Sequence, residues 1–463
     1  MQISTCAAIA LIACCDAAAG AGDGLLAFPG AEGYGRFASG GRGGDVYIVT
    51  TTADSGAGSL RDGILGKGKE QPRTIVFGVG GTIQLKKELR IENVADLTLA
   101  GQTAPGEGIT LRDHGIRFAK CSNIIVRCLR FRLGDSTKTS EDVIGLGSES
   151  GPCRNIIFDH VTATWGIDAI MDTDQLSDFT MQWCLFGEAL NDSTHYKKAP
   201  HAMLMSFRRT RGNISIHHNL LFSSRDRHPT LGGGEPQRSN AEAVFDFRNN
   251  VIYNWEGPCN LASGRFNLVG NYWRPGPNTR PWEQERPIAP KAEAQDVTRG
   301  VIRDNVFEDH AAWTADNLSA VAWGARGGKY IGDVTREAFA LAGEPVAEAD
   351  RPVTHTAADA YAMVLNHAGA SRLRDAADAR VIAGVRDRSN RRIDSQRDVG
   401  GWPVLKTAPA PRDTDHDGMP DEWERRQRLD PRDPIDRNDR RPDGSTNLEQ
   451  YLNSLIDMPR LGH

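Results

Sequence analysis

The sequence lacks a strong excess of charge of either sign. Its 55 Lys and Arg residues nearly balance its 60 Asp and Glu residues, which gives a formal net charge of −5 over 463 residues. Proteins that bind nucleic acid normally carry a clear positive excess, so the composition gives no support to a nucleic-acid partner. Hydrophobic residues still make up 39% of the chain, which is enough to build a sizeable core.

Long hydrophobic runs are missing after the first residues. The apolar run at residues 6–15 is followed by small residues around Ala19. This pattern predicts a signal peptide at residues 1–20 and a secreted protein. The stretch Leu11–Cys14 also matches a lipoprotein cleavage box, which leaves a lipid-anchored surface form open. No later run approaches the roughly 20 residues of a membrane span, so none is predicted.

Cysteine is scarce, and its number is odd after residue 20. The five residues are Cys121, Cys128, Cys153, Cys184 and Cys259. An odd, widely spaced set does not suit a disulfide framework. We therefore predict buried, unreactive cysteines.

The middle of the chain lacks the turn dipeptides that join β-hairpins every 8–12 residues. A turn followed by a short apolar strand recurs there instead, and we align its copies on Cys128, His160, Cys184, Asn219, Asn250, Asn271 and Asn305. The spacing varies from 21 to 35 residues while the strand is kept, which is typical of a solenoid. Strands rich in Val, Ile and Phe favour a parallel β-helix over the alternative, a β-sandwich.

Asparagine occupies one position of this repeat in four successive copies: Asn219, Asn250, Asn271 and Asn305. Stacked Asn side chains can bond to one another and to the backbone of a bend. The sequence therefore predicts an asparagine ladder.

The pattern divides the chain into unequal parts. We assign the β-helix to residues 27–310, a helical and irregular flank to 311–410, and a calcium-binding segment to 411–463. A helix is predicted over 357–369, where apolar residues recur at helical spacing before a glycine. The fold class is all-β, with a small C-terminal extension.

The stretch DTDHDGMPDEWE matches an EF-hand calcium loop. Positions 1, 3, 5, 9 and 12 of the template are Asp413, Asp415, Asp417, Asp421 and Glu424. Calcium sensors usually pair two such loops. The candidate partner at residues 439–452 has Arg441 and Gln450 where acids are needed. We therefore predict one structural Ca²⁺ that braces the C-terminal segment.

Several motifs resemble secreted pectate lyases. They are AFPGAEGYGR at 27–36, GGRGGDVYIVTTTADSGAGSLRDGI at 40–64, GQTAPGEGITL at 101–111, and later WGIDAIMD, THYKKAPH and HHNLLFSSRDRHPTL. The resemblance covers roughly residues 27–310 and implies a right-handed parallel β-helix. It also implies Ca²⁺-dependent β-elimination of polygalacturonate, an acidic plant cell-wall polysaccharide, to unsaturated oligogalacturonides. We expect a monomer.

The resemblance assigns the catalytic calcium to Asp142, Asp168 and Asp172. Elimination removes a C5 proton next to a carboxylate, and a cation on that carboxylate makes the proton more acidic. Calcium suits this task because it takes oxygen ligands. Ser140 stands where many members have another Asp, which predicts weaker binding or binding together with substrate.

Arg227 matches the proton abstractor of the family. Because the pKa of arginine lies above 12, this role predicts an alkaline optimum. Either Lys197 or Lys198 would clamp the substrate carboxylate, and the sequence does not separate them. His195 and His201 beside them are interpreted as histidines that line the groove.

Substrate binding is assigned to Arg225 and His228. Many members carry a second arginine where this chain has Gly232. The residues that could replace it are Arg225, Arg208, Arg209 and Arg238.

Two other functions stay open at this stage. A polygalacturonase-type hydrolase would use carboxylates such as Asp168, Asp172 and Asp174 around one bond. A non-catalytic pectin-binding protein or adhesin would use the same solenoid without turnover. Hydrolysis creates no double bond, and a binding protein creates no product, so product analysis separates all three.

Overall fold

The structure is a computed structural model that describes residues 24–66, 71–147, 151–198, 200–234, 241–280, 286–291, 298–323 and 334–456. The predicted signal peptide at 1–20 and the candidate residue Arg238 lie outside the described residues. No helix within the described ranges is long and apolar enough to cross a membrane.

The chain forms a right-handed parallel β-helix. Each complete turn of the solenoid contributes one strand to each of three sheets, and every strand pairs in parallel with the equivalent strand of a neighbouring turn. The strand Ser122–Arg127, for example, lies between Ala95–Ala100 and Cys153–Asp159. The predicted all-β solenoid is thereby confirmed.

The three sheets are numbered in the order in which a turn visits them. Sheet 1 contains Asp45–Val49, Arg73–Phe77, Ala95–Ala100, Ser122–Arg127, Cys153–Asp159, Leu176–Gln182, Ile214–His217, Val244–Arg248, Gly264–Val269 and Thr298–Arg303. Sheet 2 contains Gly81–Gln84, Ile109–Arg112, Arg130–Arg132, Thr162–Thr164, Leu185–Gly187, Leu220–Phe222, Val251–Tyr253, Tyr272–Arg274 and Val306–Phe307. Sheet 3 contains Leu89–Glu92, Ile116–Ala119, Ile144–Leu146, Ala169–Asp174, Met203–Arg208, Thr230–Gly232, Cys259–Ala262 and Ile288–Lys291.

Helices lie at the start of the solenoid and along its outside. They are α1 Leu60–Leu65, α2 Ala311–Ala315, α3 Arg336–Phe339, α4 Ala357–His367, α5 Ala376–Arg386, α6 Asp421–Gln427 and α7 Asn447–Ser454. Helix α4 confirms the helix expected over 357–369. Thr356 caps its first turn by accepting a hydrogen bond from Asp359 N.

The interior of the solenoid is filled by stacked apolar side chains. Phe118, Phe158, Phe179 and Phe207 follow one another up the axis, with ring centroids 5.7–6.1 Å apart. The five cysteines are buried and free, as predicted. Alternation along each strand sends its other residues outward, so the solenoid presents three outer faces.

The predicted asparagine ladder is present. Asn250 Oδ1 accepts hydrogen bonds from the backbone and side-chain nitrogens of Asn219, at 3.1 and 2.9 Å. Asn271 and Asn305 continue the same pattern. Asn317, which the sequence pattern did not include, ends the ladder by accepting from Asn305 at 2.7 and 3.0 Å.

The ladder also corrects the predicted alignment of the first two copies. The pairing of Thr162 with Arg130 and with Leu185 puts Leu129 and Val161, rather than Cys128 and His160, level with Cys184. Cys128 and His160 belong to the preceding position, where the backbone is left-handed, with φ of 55° and 54°. The prediction was therefore wrong by one residue at both Cys128 and His160, which lie in the bend next to the asparagine column.

The residues that follow the solenoid cover two of its outer faces. Val364 of α4 and Ile382 of α5 pack against Leu185 and Phe222 of sheet 2. Arg132 of sheet 2 is buried and donates to Asp375 at 2.8 and 2.9 Å, which pairs the flank with the solenoid.

The calcium-loop segment covers the beginning of sheet 1. Ile48, Val76 and Ala100 stand at paired positions of its first three strands and form an outward apolar row. Met419 and Leu448 pack on this row. The outer face of sheet 3 carries the polar residues described next.

Substitution of one ladder residue should destabilise the fold. In Asn250→Ala, Asn219 loses its acceptor and Ile216 O loses its donor inside the protein, which should cost about 2–4 kcal/mol. Urea unfolding followed by circular dichroism measures the change. The exposed Asn366→Ala, which removes one surface bond to Arg386, should stay within about 0.5 kcal/mol. Equal losses in both variants would contradict the role of the ladder.

Candidate functional site

Sheet 3 places a row of polar residues on its outer face. Arg117, Gly145, Asp172 and Ser206 occupy paired positions on four successive strands. Gly145 makes room for its neighbour, since a Cβ atom there would lie 2.6 Å from Arg117 Nη1. The register therefore puts a guanidinium, a carboxylate and a hydroxyl next to one another on this face, with the Ser206 side chain itself 1% exposed.

Asp142 lies just before the second strand of this row. Its Oδ1 accepts a hydrogen bond from Ala169 N at 3.1 Å, and its Oδ2 lies 3.4 Å from Arg117 Nη2. Burial raises the pKa of Asp142 to about 7, and the charges of Asp172 and Asp168 add to the rise, while Arg117 opposes it. The negative charges of Asp168 and Asp172 therefore act on Asp142, and Arg117 offsets part of their effect.

Asp168 is held by two histidines. His201 Nε2 lies 2.8 Å from Asp168 Oδ1, and His195 Nε2 lies 3.5 Å from Oδ2. The two imidazole rings stack at 3.9 Å. Burial acts to raise the pKa of Asp168, but the His201 hydrogen bond and nearby positive charge outweigh it and lower that pKa. The histidines thus orient a ligand candidate, a closer role than the groove lining expected.

Asp172 and Arg227 are joined through one hydroxyl. Ser206 Oγ donates to Asp172 Oδ1 at 2.7 Å and accepts from Arg227 Nη1 at 3.1 Å. Arg208 also pairs with Asp172 from the solvent side. Two arginines therefore converge on one acid of the row.

The backbone around Arg227 fixes where its side chain points. The residue has a left-handed conformation, with φ of 64°, and its N–H donates to Asp226 Oδ1 at 2.7 Å. Its carbonyl accepts from Met205 N at 3.1 Å, next to Ser206. The same left-handed conformation recurs in other bends of the solenoid, such as the one at His160, so Arg227 occupies a bend whose backbone is held by these hydrogen bonds.

Both candidate lysines lie on an exposed loop beside the row. Lys197 Nζ lies 5.3 Å from the centre of the Tyr196 ring, and Lys198 follows with φ of 50°. Tyr196 N donates to Ser140 Oγ at 3.1 Å, which ties this loop to the segment before Asp142. The geometry thus keeps both lysines as candidates.

The structure contradicts one of the two substrate-binding assignments, that of His228, and leaves that of Arg225 as a prediction. The His228 side chain is fully buried and its Nδ1 lies 3.2 Å from Gly257 O, so it does not line a surface groove. Its assignment to substrate binding is corrected. The backbone of Arg225 donates to Ala202 O at 2.7 Å, beside the groove.

Gly232 is required by the fold, which explains the missing second arginine. It has φ of 78°, and a Cβ atom would lie 1.8 Å from Ala262 O. Arg209 is engaged with Asp174 at 2.8 Å. The Arg208 side chain is 47% exposed and contacts Asp172.

The C-terminal loop forms a second acidic site. The three Asp residues at template positions 1, 3 and 5 lie together, with ligand oxygens all within 4.8 Å. Backbone N–H groups orient them: Asp413 accepts from His416 and Gly418, and Asp417 accepts from Met419. Burial, together with the charges of the neighbouring carboxylates, raises the pKa of Asp417 to about 7 and that of Glu424 to about 8.

These carboxylates fit a calcium ion. Oxygens of Asp415, Asp417 and Glu424 are buried and accept no hydrogen bond from the described part of the chain. Buried carboxylates without donors are costly unless a cation neutralises them. Asp421 does not join this group, since its oxygens accept from Thr414 at 2.8 and 2.9 Å.

A parallel β-helix with acids and arginines in a row on one outer face is suited to an acidic polymer. The sequence is similar to proteins described as probable pectate lyase C. The Aspergillus flavus protein is 32% identical over 445 residues, which cover 93% of this chain and 94% of that protein. The Emericella nidulans protein is 32% identical over 438 residues, covering 93% of each. The chain belongs to the pectate lyase family.

Other likenesses are more distant. A pectate lyase of Nicotiana tabacum is 30% identical over 177 residues, covering 34% of this chain and 42% of that protein. Among solved structures, a Bacillus pectate lyase in complex with trigalacturonate is 14% identical, with a TM-score of 0.49, and the match covers 73% of this chain and 98% of that one. Pectate lyase II from Xanthomonas campestris is 16% identical, with a TM-score of 0.44, and the match covers 74% and 99%. The sequence matches no family model.

The Ser206 hydroxyl should position the side chain of Arg227. Ser206→Ala removes the link between Arg227 and Asp172 at a side chain that is 1% exposed, so we expect pectate lyase activity to fall about 10-fold or more, with a loss of about 1–3 kcal/mol in the free energy of unfolding. Initial rates on polygalacturonate and a thermal melt measure this. Ser206→Thr keeps the hydroxyl and should retain most of the activity. A Thr variant as impaired as the Ala variant would show that the hydroxyl is not the cause.

Proposed function

We propose that this protein cleaves polygalacturonate by calcium-dependent β-elimination and releases 4,5-unsaturated oligogalacturonides. The observation that carries the proposal is the link from Arg227 through Ser206 to Asp172, on an exposed face beside Asp142 and Asp168. A long surface row suits a polymer, which lies along the solenoid and across several turns.

Positive side chains would bind the uronate carboxylates. Arg208 is half exposed on the row, and the two lysines lie on the adjacent loop. Arg117 lies beside Asp142 and neutralises part of the negative charge of that carboxylate. Guanidinium groups match the planar geometry of a carboxylate, which favours Arg208 as the replacement for the arginine missing at Gly232.

Arg227 would take the C5 proton, the electron pair of the C5–H bond would form the double bond between C4 and C5, and the C4–O bond would break, with the leaving oxygen protonated by water. A neutral guanidine is rare in water, so proton removal by Arg227 improves as hydroxide concentration rises. Ser206 and the left-handed backbone hold the Nη atoms toward the row, which removes the cost of orienting a long side chain. The expected pH optimum is alkaline.

Asp142, Asp168 and Asp172 would hold the catalytic calcium. When bound, Ca²⁺ supplies Lewis-acid stabilisation of the negative charge that develops on the uronate carboxylate. His201 keeps one oxygen of Asp168 in place, and Ala169 N keeps one oxygen of Asp142 in place. Arg117 and Arg208 contact two of these acids, so we propose that calcium binds here together with the negatively charged substrate.

A second calcium would be structural, in the loop at Asp413–Glu424. Its buried carboxylate oxygens support this role, as do the contacts of the segment with sheet 1. We also propose that the protein is secreted and acts as a monomer. A plant cell-wall polymer is too large to enter the cell that makes the enzyme, so the enzyme would act on it outside that cell.

Replacement of Arg227 should abolish lyase activity. Arg227→Ala removes the proposed base, so kcat should fall about 10²–10⁴-fold with little change in thermal stability. The assay follows the ultraviolet absorbance of the new double bond at pH 7 to 10, with calcium or with a chelator. Wild type should be most active at alkaline pH and inactive in chelator.

Three outcomes would contradict the proposal. Products without a double bond would favour the hydrolase, and binding without turnover would favour the pectin-binding protein. Chelator-resistant cleavage would remove the calcium role. A matched control is Arg211→Ala, since Arg211 lies in the turn after sheet 3, away from the row, and should leave the rate within about two-fold.

The C-terminal calcium should contribute to stability and not to catalysis. The double variant Asp415→Ala with Asp417→Ala removes two ligand candidates, so calcium should raise its unfolding temperature less than it raises that of wild type. Specific activity at low temperature should stay close to wild type. A variant that melts like wild type but loses catalysis would show that this loop belongs to the active site.

A further inference from the structure

The C-terminal acidic site includes a carboxylate from outside the predicted 12-residue loop. Asp436 begins the 3₁₀ turn Asp436–Asn438, beyond the end of α6. Its ligand oxygen lies within 4.8 Å of those of Asp417 and Glu424. Asp417 thus belongs to two groups of three acids, one within the loop and one that extends to this turn.

The oxygens that face this second group lack hydrogen-bond donors. The Glu424 side chain is 0% exposed and both of its oxygens accept nothing from the described residues. Asp417 Oδ2 and Asp436 Oδ1 are in the same situation, on side chains that are 1% and 8% exposed. Three converging carboxylates with buried, unpaired oxygens are the environment of a hard divalent cation.

We infer that Asp436 is a direct ligand of the C-terminal calcium, and that Asp421, which the loop template assigns, is not. Asp421 accepts from Thr414 N, from Thr414 Oγ1 and from Arg425 at 2.8, 2.9 and 3.0 Å. These bonds close the loop onto α6. This inference rests on the calcium role proposed for the loop.

Asp436 would connect the bound cation to the solenoid through a chain of contacts. Asn447 Nδ2 donates to Asp436 O at 2.7 Å, and Asn447 is the first residue of α7. In that helix Leu448 packs on Val76 and Ala100 of sheet 1. A cation shared by the loop, α6 and this turn therefore links three stretches of chain and fixes α7 on the sheet.

The test compares three isosteric variants of the full chain. Asp436→Asn removes the ligand charge but keeps an oxygen for its bond with Asp430 N. Asp421→Asn does the same at the template position, and Asp433→Asn removes an exposed charge three residues before Asp436. Each protein is stripped with chelator, and Ca²⁺ is titrated by calorimetry and by the shift in unfolding temperature.

Asp436→Asn should weaken the calcium site about 10-fold or more and reduce the calcium-dependent rise in unfolding temperature. Without calcium it should be at least as stable as wild type, because one of several repelling carboxylates is gone. Asp433→Asn should bind within about two-fold of wild type. Asp421→Asn should bind more tightly than Asp436→Asn.

Other outcomes overturn the inference. Wild-type calcium affinity in Asp436→Asn would do so, as would a greater loss in Asp421→Asn. Equal destabilisation of Asp436→Asn with and without calcium would make Asp436 a structural residue of the turn only. If wild type itself shows no calcium binding that the Asp415 and Asp417 double variant removes, the proposed structural calcium fails, independently of Asp436.

Discussion

Parallel pairing of each strand with its equivalent one turn later is the constraint on which this molecule depends. Because pairing fixes the register between turns, any residue type repeated at one position becomes a column along the solenoid. The phenylalanine stack, the asparagine ladder and the polar row of sheet 3 are three such columns. Core, bend and site are therefore set by the same backbone hydrogen bonds.

The site combines this rigid column with side chains from the variable loops. Asp172 and Ser206 come from paired strands, whereas Asp168, Arg227 and the lysines come from the segments before strands of sheet 3. Loops can differ in length between turns because the strands keep the register. The histidines at Asp168 and the left-handed backbone at Arg227 then restore the precision that a loop lacks.

Much of this was predictable from the sequence. The repeat gave the solenoid and the asparagine ladder, and helical spacing gave α4. Asp142, Asp168, Asp172 and Arg227 came from the family resemblance, and the structure puts them on or beside one face.

The remainder depends on pairing between turns that one sequence does not reveal. Arg117 and Ser206 join the row through register alone, and the misalignment at His160 shows how easily a register slips by one residue. The burial of His228 is likewise set by the turn that packs over it. Asp436 lies beyond any loop template, so only the fold of the chain after α6 brings it to Glu424.

The covering of sheet 1 by the C-terminal segment has a consequence for the order in which the protein is synthesised and folded. The outward apolar row at Ile48, Val76 and Ala100 belongs to the first turns of the solenoid. The residues that cover it, Met419 and Leu448, are synthesised only after the whole solenoid. During synthesis this row stays exposed to solvent until the segment with Met419 and Leu448 has been made. Exposed apolar strands attract other chains. Docking of the C-terminal segment on sheet 1 is therefore the step that protects this row from contact with other chains.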